Sequence, residues 1–411
     1  MIRYEKYKPS GVEWLGEIPE HWEVKRVKDF GEYQSGYFID ANEFDNNNDY
    51  PVFGGNGIRS YASKHNHNGE YILIGRQGAL CGNINIAKGK FWATEHAVVV
   101  YNKSNINKKW YAFLLEVMNL NQYAISAAQP GLSVDKVKRL MLPYISLPEQ
   151  IAIANYLDTK TVAIDQKIEL LTAKTAKYNA LRRSLINETV CRGLNPNAQM
   201  KDSGIEWIGQ IPAHWEVKRF KDVVAKYTTG GTPTTSNTDY FEGNNIWVCI
   251  SDISESAYIY DSKIKLTDEA IRSLNIIKTP KGSLLFSFKL SIGKIAFVEK
   301  SVYTNEAILS IFPNKNIDLK YYYFMLPIFM LLAATENIYG AKMLNQKLIA
   351  NALVVHPSIE EQSIIAEHLE NKTAQIDTIL TNISNQINKL KQLRKTLING
   401  VVTGKIKVTE D

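Results

Sequence analysis

The chain has 411 residues, too many for one hydrophobic core, so roughly two to four domains are expected. Its 45% hydrophobic and 22% charged residues exclude wholesale disorder, and a net charge of +6 permits a polyanionic partner without requiring one. Three scattered cysteines (Cys81, Cys191, Cys249) exclude a disulfide framework and fit no zinc spacing, which points to a reducing cytosol. Residues 1–6 carry no apolar signal segment, and the greasiest stretch, residues 321–334, is too short for a bilayer and contains Pro327; a soluble, cytoplasmic protein without a membrane partner is expected.

The chain is written twice. Trp14-Leu15-Gly16-Glu17-Ile18-Pro19-Glu20-His21-Trp22 returns as Trp207-Ile208-Gly209-Gln210-Ile211-Pro212-Ala213-His214-Trp215, inside a longer match of residues 10–26 with 203–219. Glu149-Gln150 through Ile164-Asp165 returns as Glu361-Gln362 through Ile376-Asp377. The register shift is 193 at the first anchor and 212 at the last, so the second copy carries about 19 extra residues, which fall near residues 237–262. They either contact a ligand or merely pack. The period is far too long for a solenoid, so a whole domain and its tail are duplicated. The boundaries expected are 1–146 and 201–357 for two bodies, with 147–200 and 358–411 for two helical tails.

In chain order, residues 70–74, 83–87 and 97–101 read as short strands broken by Gly75, Gly78, Gly82 and Gly89, and residues 110–120 as an aromatic-rich helix. After Pro148, apolar residues at Leu157, Ile164, Ile168, Leu171, Tyr178 and Leu185 mark one face of a helix that Gly193 ends. The second copy repeats this with strands over 283–287, 294–298 and 307–312 and a helix over 321–334. Its tail carries Leu369, Ile376, Leu380, Ile383, Ile387, Leu390 and Leu397, with Gly400 at the expected helix end. A helix over residues 157–190 would be roughly 50 Å long, and its single apolar stripe needs a partner. Its duplicate is the obvious one, and two equivalent helices packed by one face about a perpendicular twofold run antiparallel. The fold class expected is α+β, with two twofold-related bodies of twisted sheet and helices joined by two long antiparallel coiled-coil helices.

No catalytic constellation survives inspection. The chain has no Pro-Pro, which excludes the Asn/Asp-Pro-Pro-Tyr/Phe loop of an amino-methyltransferase, and Gly293-Lys294 lacks the remainder of a P-loop. Gly54-Gly55-Asn56-Gly57 reads as a tight turn rather than a phosphate cradle. His65-Asn66-His67 reads as a solvated loop rather than half of a metal site. His21 and His214 occur in both copies, which makes them framework packed with Trp22 and Trp215. Glu95 and Glu306 are either catalytic carboxylates or buried structural hydrogen-bonders.

What remains is a recognition surface. Each body has 17 basic and 15 acidic residues (1–144 and 201–357), so local clusters matter more than net charge. Arg59, Tyr61, Lys64, Arg76 and Gln77, with Gln129 and Ser133, are the candidates in the first body. Thr232, Thr234, Thr235, Lys289, Ser291, Lys342, Asn345 and Gln346 are those in the second. Such side chains bond phosphates through Lys, Arg, Ser and Thr, and base edges through Arg, Gln and Asn; ordinary polar loop chemistry is the competing explanation for each.

The repeated Trp-x-Gly-x-Ile-Pro-x-His-Trp opening and the Glu-Gln-led helices resemble the specificity subunit of type I restriction–modification systems over essentially the whole chain. Thr229-Gly230-Gly231-Thr232-Pro233, Ile246-Trp247-Val248 and Ser251-Asp252-Ile253 are similar to the start of one type of recognition domain in that family. Tyr50 through Ile58, Ile74-Gly75-Arg76-Gln77-Gly78 and Phe91-Trp92-Ala93-Thr94 are similar to another. The resemblance implies a non-catalytic subunit whose two target recognition domains each read half of a bipartite, asymmetric site in double-stranded DNA, with the helices as a spacer. It implies two SAM-dependent adenine methyltransferase subunits as partners, restriction subunits that use ATP and Mg, and no cofactor of this chain's own. Base flipping would be the partner's work. A spacer of roughly 50 Å exceeds one turn of B-DNA, about 34–36 Å, so both bodies would reach one groove. A coiled-coil adaptor that never touches DNA, or a stand-alone nuclease, are the alternatives.

Overall fold

The computed structural model describes residues 2–124, 130–254, 256–289, 291–336 and 342–408. It resolves into two compact units, residues 1–173 with 383–411, and residues 174–382. Both cuts fall inside long helices, so each unit is a body closed by pieces of two helices.

In the first unit, four antiparallel strands lie in the order Gly31–Ser35, Ala97–Asn102, Tyr71–Gly75, Ile84–Ala87. The central strand is apolar at every position from Ala97 to Val100 because it has a core on each face. Val98 and Val100 point into the main core with Trp22, Phe30 and Trp110, while Val99 meets Phe53 and Phe91 of a second sheet. Helix α1 (Lys108–Met118) begins where the Asn107 side chain accepts the Trp110 N–H at 3.0 Å, and buries Trp110, Tyr111, Leu114 and Leu115. The second sheet orders Gly57–Ala62, Tyr50–Gly54, Lys90–Ala93 and His67–Asn68, its middle pair parallel.

The second unit repeats the first of these sheets, while its smaller sheet has three strands, Lys265–Leu266, Asn245–Val248 and Tyr303–Thr304, where the first unit has four. Tyr227–Thr229, Ile308–Ile311, Leu284–Ser287 and Ile295–Val298 take the same order, again with alternate residues in two cores: Leu284, Phe286 and Leu309 in one, Leu285 and Ile308 in the other. Part of the extra segment packs, since Tyr258–Ile259 adds a fifth strand parallel to Ile295–Val298 and Ile253 and Ile259 are buried against Leu285 and Val298, while Tyr260 is exposed. The pocketed aromatic segment is a helix (Leu319–Ala333) capped by Asp318, whose carboxylate accepts the N–H groups of Lys320 and Tyr321.

Two long helices complete the units. We call the helices α2 (Leu147–Arg192), α3 (Leu319–Ala333) and α4 (Ile359–Val402). In the first unit the start of α2 meets the end of α4, with Leu157, Leu397, Ile398 and Val401 in one core. In the second unit the roles reverse, with Val190 and Cys191 against Ile365, Ala366 and Leu369. The pairing is antiparallel in both. Arg394 on α4 bridges Asp165 on α2 at 3.2 Å in the first unit, and the repeat-equivalent pair, Arg182 with Asp377, lies at 3.5 Å in the second. Along the predicted stripe, Leu157, Leu369, Ile376, Ile383 and Leu397 are buried, and Ile164, Ile168, Leu171, Tyr178, Leu185, Leu380, Ile387 and Leu390 are half-buried.

Three local expectations change. Gly193 does end α2, with φ +72, but Gly400 lies inside α4, and the left-handed residue is Gly404, φ +76. Gly400 is glycine for another reason: Ile406 folds back with its N–H on the Gly400 carbonyl at 2.9 Å, and a Cβ there would lie 2.6 Å from the Ile406 side chain. His67 is not a solvated loop residue. It is buried in a strand, stacked on Phe91 at 5.2 Å and bonded to the Tyr101 hydroxyl at 2.8 Å, and burial lowers its pKa. Glu95 and Glu306 are not buried: Glu95 is half-exposed beside His96, and Glu306 is exposed, accepting from the Thr232 hydroxyl. Among the described residues no helix is long and apolar enough to cross a membrane.

Candidate nucleic-acid interface

The two sequence anchors of each repeat meet in space, which the sequence did not reveal. In the first unit Glu149, at the start of α2, accepts from Trp22 Nε1 at 3.0 Å and Tyr4 Oη at 2.8 Å, and lies 3.2 Å from His21 Nε2. In the second, Glu361 accepts from Trp215 Nε1 at 3.2 Å and pairs with His214 Nε2 at 3.0 Å. Burial pushes the Tyr4 hydroxyl far above its ordinary value, assisted by Glu149. For Glu361 burial works against the charge, but the His214 and Trp215 contacts win and its carboxyl is held below the usual range. The neighbouring glutamines are buried joints. Gln150 accepts the Asn107 N–H at 2.8 Å and donates to the Ile145 carbonyl at 2.9 Å; Gln362 accepts the Asp318 N–H at 2.9 Å and donates to the Pro357 carbonyl at 3.0 Å. Each therefore locks a body helix to the start of a long helix. His21 and His214 serve this framework.

The variable loops gather at one place in each unit. In the first, Arg76 follows the strand Tyr71–Gly75; its Nη1 donates to the Ser35 hydroxyl at 3.2 Å, its N–H to the His96 carbonyl, and its carbonyl accepts from Leu132. Gln77 is exposed and bridges to Gly131. The turn at Gly54–Gly57 presses on this loop: a Cβ on Gly55 would lie 2.6 Å from the Gln77 carbonyl. Arg59 and Tyr61 lie on the edge strand that leaves the turn, Arg59 at a break in its pairing register with its guanidinium 5.3 Å from the Phe44 ring. Lys64 is engaged elsewhere, ion-paired with Glu43 and 5.0 Å over Trp92. Ser133 caps the helix Val134–Arg139 by accepting from Lys136. Gln129 lies outside the described residues.

In the second unit the equivalent loops enclose a cleft of about 570 Å³ lined by Thr229, Lys289, Glu306, Asn345, Gln346 and Lys347, among others. Thr232 reaches it through Glu306. Gln346 Nε2 donates to the Thr229 hydroxyl at 2.7 Å, and Lys289 lies 5.9 Å from the Phe288 ring. Asn345 repeats the cap of Ser133, its side chain accepting from Leu348 at 2.8 Å. Thr234, Thr235 and Ser291 are exposed on the flanking loops, and Lys342 pairs with Glu336 at 3.7 Å on a short hairpin. Sequence reasoning missed Lys347, and it missed the exposed pair Tyr37–Phe38, which follows Ser35, the acceptor of the Arg76 guanidinium. Their only signal was aromatic or basic character next to a glycine or a cap.

The model of the type I restriction modification DNA specificity domain matches residues 19–177 and again 212–389. Over 109 residues the chain is 57% identical to the Escherichia coli EcoprrI specificity subunit, a match that covers 26% of this chain and 27% of that one. A match to the MjaIX specificity subunit of Methanocaldococcus jannaschii, 28% identical, covers 44% of each. Less than half the length of either relative is thus spanned, whereas the MjaVIII specificity subunit of the same organism is 23% identical over 95% of this chain and 94% of its own. In fold, a chain solved in work on complex assembly and conformational transition of the type I restriction–modification system is similar with a TM-score of 0.70 at 14% identity, covering 95% of this chain and 99% of that chain. The HsdS subunit of Thermoanaerobacter tengcongensis gives 0.53 at 15% identity, covering 95% and 98%. With both repeats matched over most of their length, this chain belongs to the type I restriction–modification DNA specificity family as a specificity subunit.

Proposed function

We propose that each unit reads one half of a bipartite, asymmetric site in double-stranded DNA, and that the long helices set the gap between the halves. The observation that carries this is the contrast between scaffold and loops. The two units repeat the same strand order, caps and Glu-Gln joints, while the loops at equivalent positions differ: Arg76-Gln77 in one, Phe288-Lys289 in the other. A shared frame with divergent polar loops suits two different half-sites, since phosphate contacts position and base contacts specify. Methylation and cleavage would belong to partners, SAM to two methyltransferase subunits, and ATP with Mg to restriction subunits. Leu181 and Leu393, equivalent under the repeat and 53% and 49% exposed, are the candidate contacts for docking two methyltransferases. The test is co-expression with the methyltransferase encoded beside this chain, followed by single-molecule sequencing of methylated DNA. A split motif methylated only when this chain is present is the expected result. Unchanged methylation despite a stable complex would overturn it.

A further inference from the structure

We infer that Glu306 is a base-reading residue that accepts a hydrogen bond from an exocyclic amine, cytosine N4 or adenine N6, in the major groove of the half-site read by the second unit. The inference rests on the DNA-reading function proposed above and names one of its specificity determinants.

Glu306 is an exposed carboxylate in the cleft that also holds Lys289, Gln346 and Lys347. Among the described residues no cation lies within ion-pair distance of it, so it is not there to neutralise a lysine. Its partner is the Thr232 hydroxyl, which donates to Oε2 and fixes the carboxylate with Oε1 available to a donor. A carboxylate offers only acceptors. Facing phosphate it would repel, and it weakens the non-specific attraction that lysines beside it provide. Such a group is repaid in a DNA-facing cleft only where it meets a donor, and in the major groove the donors are the amines of cytosine and adenine. Glu306 lies outside the strands and helix caps, and its tie to the frame is the single bond from the Thr232 hydroxyl.

The test uses the full chain in complex with its methyltransferase and reads the methylated motif by single-molecule sequencing for the unaltered chain, Glu306→Gln and Thr232→Val. In Glu306→Gln the amide adds a donor. Discrimination at one position of one half-site should fall or invert, by on the order of 10- to 100-fold, while the other half-site stays unchanged. Thr232→Val should loosen the same position, because it frees the carboxylate. A motif identical to that of the unaltered chain in both variants would overturn the inference. So would methylation that falls or rises evenly over all sites, the signature of a phosphate or scaffold role. If the unaltered chain directs no split motif at all, the DNA-reading function itself fails, a result separate from either.

Discussion

Replacing Gln150 by leucine tests the joint that holds the first body to its long helix. Leucine keeps much of the volume but strands two backbone groups in a fully buried position: the Asn107 N–H, now 2.8 Å from Gln150 Oε1, and the Ile145 carbonyl, 2.9 Å from Nε2. A buried donor or acceptor left without a partner costs about 1–3 kcal/mol, so the pair should cost about 2–6 kcal/mol. For a unit of this size, 1 kcal/mol moves the melting temperature by roughly 2–4 °C, which gives a drop of about 4–24 °C. Gln362→Leu strands the equivalent groups, Asp318 N–H and the Pro357 carbonyl, and should cost a similar amount in the second unit. Denaturant unfolding followed by tryptophan fluorescence gives the magnitude. Hydrogen exchange assigns the unit: protection should fall around Asn107 in the first variant and around Asp318 in the second. A loss under about 0.5 kcal/mol in both, with exchange unchanged, would refute the claim that these amides are joints.

The other expectations follow the same repeat logic. Arg394→Ala removes contacts to Glu116 at 2.6 Å and Asp165 at 3.2 Å and should destabilise the first unit by about 1–2 kcal/mol; Arg182→Ala should cost under about 0.5 kcal/mol, because Pro327 stands where Glu116 does and only Asp377, at 3.5 Å, remains. Urea midpoints of the two variants decide this. Because the Glu361 carboxyl is held below its ordinary range, its contribution is present above that range and lost as pH falls through the folded value. Glu361→Gln should therefore be less stable than the unaltered chain at pH 7, by about 1 kcal/mol after allowance for its partial exposure, and the gap should close towards pH 3. A gap that stays constant with pH would count against the His214–Trp215–Glu361 cluster. Leu393→Asp should leave folding intact yet reduce bound methyltransferase from two copies to one by native mass spectrometry; two retained copies would remove this residue from the docking face.

The frame was largely legible because it is written in periodic and repeated signals. Apolar runs at 97–101 and 307–312 announce strands with a core on both faces, and the spacing from Leu157 to Leu185 announces a helix with a stripe. The chemistry joining these pieces was not, because it is non-local: nothing in Ile-Pro-x-His-Trp says that its indole will donate to a glutamate 127 residues later. A glycine near the end of an apolar pattern signals a stop equally well whether it supplies a positive φ or, as Gly400 does, clears room for Ile406. Ser133 and Asn345 show the same ambiguity at the candidate interface. A polar side chain three residues before an amide it can cap looks identical, in sequence, to one aimed at DNA. The company of His65 and Asn66 points His67 to solvent, and only the register of Lys90–Ala93 on His67–Asn68 puts it under Phe91.

The joints also explain how such a chain can vary its loops without losing its frame. In each unit the anchor tryptophan is held from two sides. Trp22 donates to Glu149 of its own repeat and lies against Gly404, where a Cβ would approach its ring to 3.1 Å; Trp215 donates to Glu361 and lies against Gly193, where the corresponding distance is 3.0 Å. The glutamate comes from the helix that follows the body, and the glycine from the end of the other long helix. Each anchor therefore registers both helices at once, and it does so with backbone, indole and carboxylate groups far from the reading loops in sequence. The loops at 54–57, 76–83 and 130–133, and their counterparts in the second unit, carry none of these contacts. Exposed positions there, such as Gln77 and Asn83, can change hydrogen-bonding character while the 2.8–3.0 Å bonds of Gln150 and Gln362 stay in place, whereas Cys81, Gly82 and Leu132 are buried and belong to the frame. On the proposed reading, specificity and stability fall to different residues, with Glu306 tied to the frame only through the Thr232 hydroxyl.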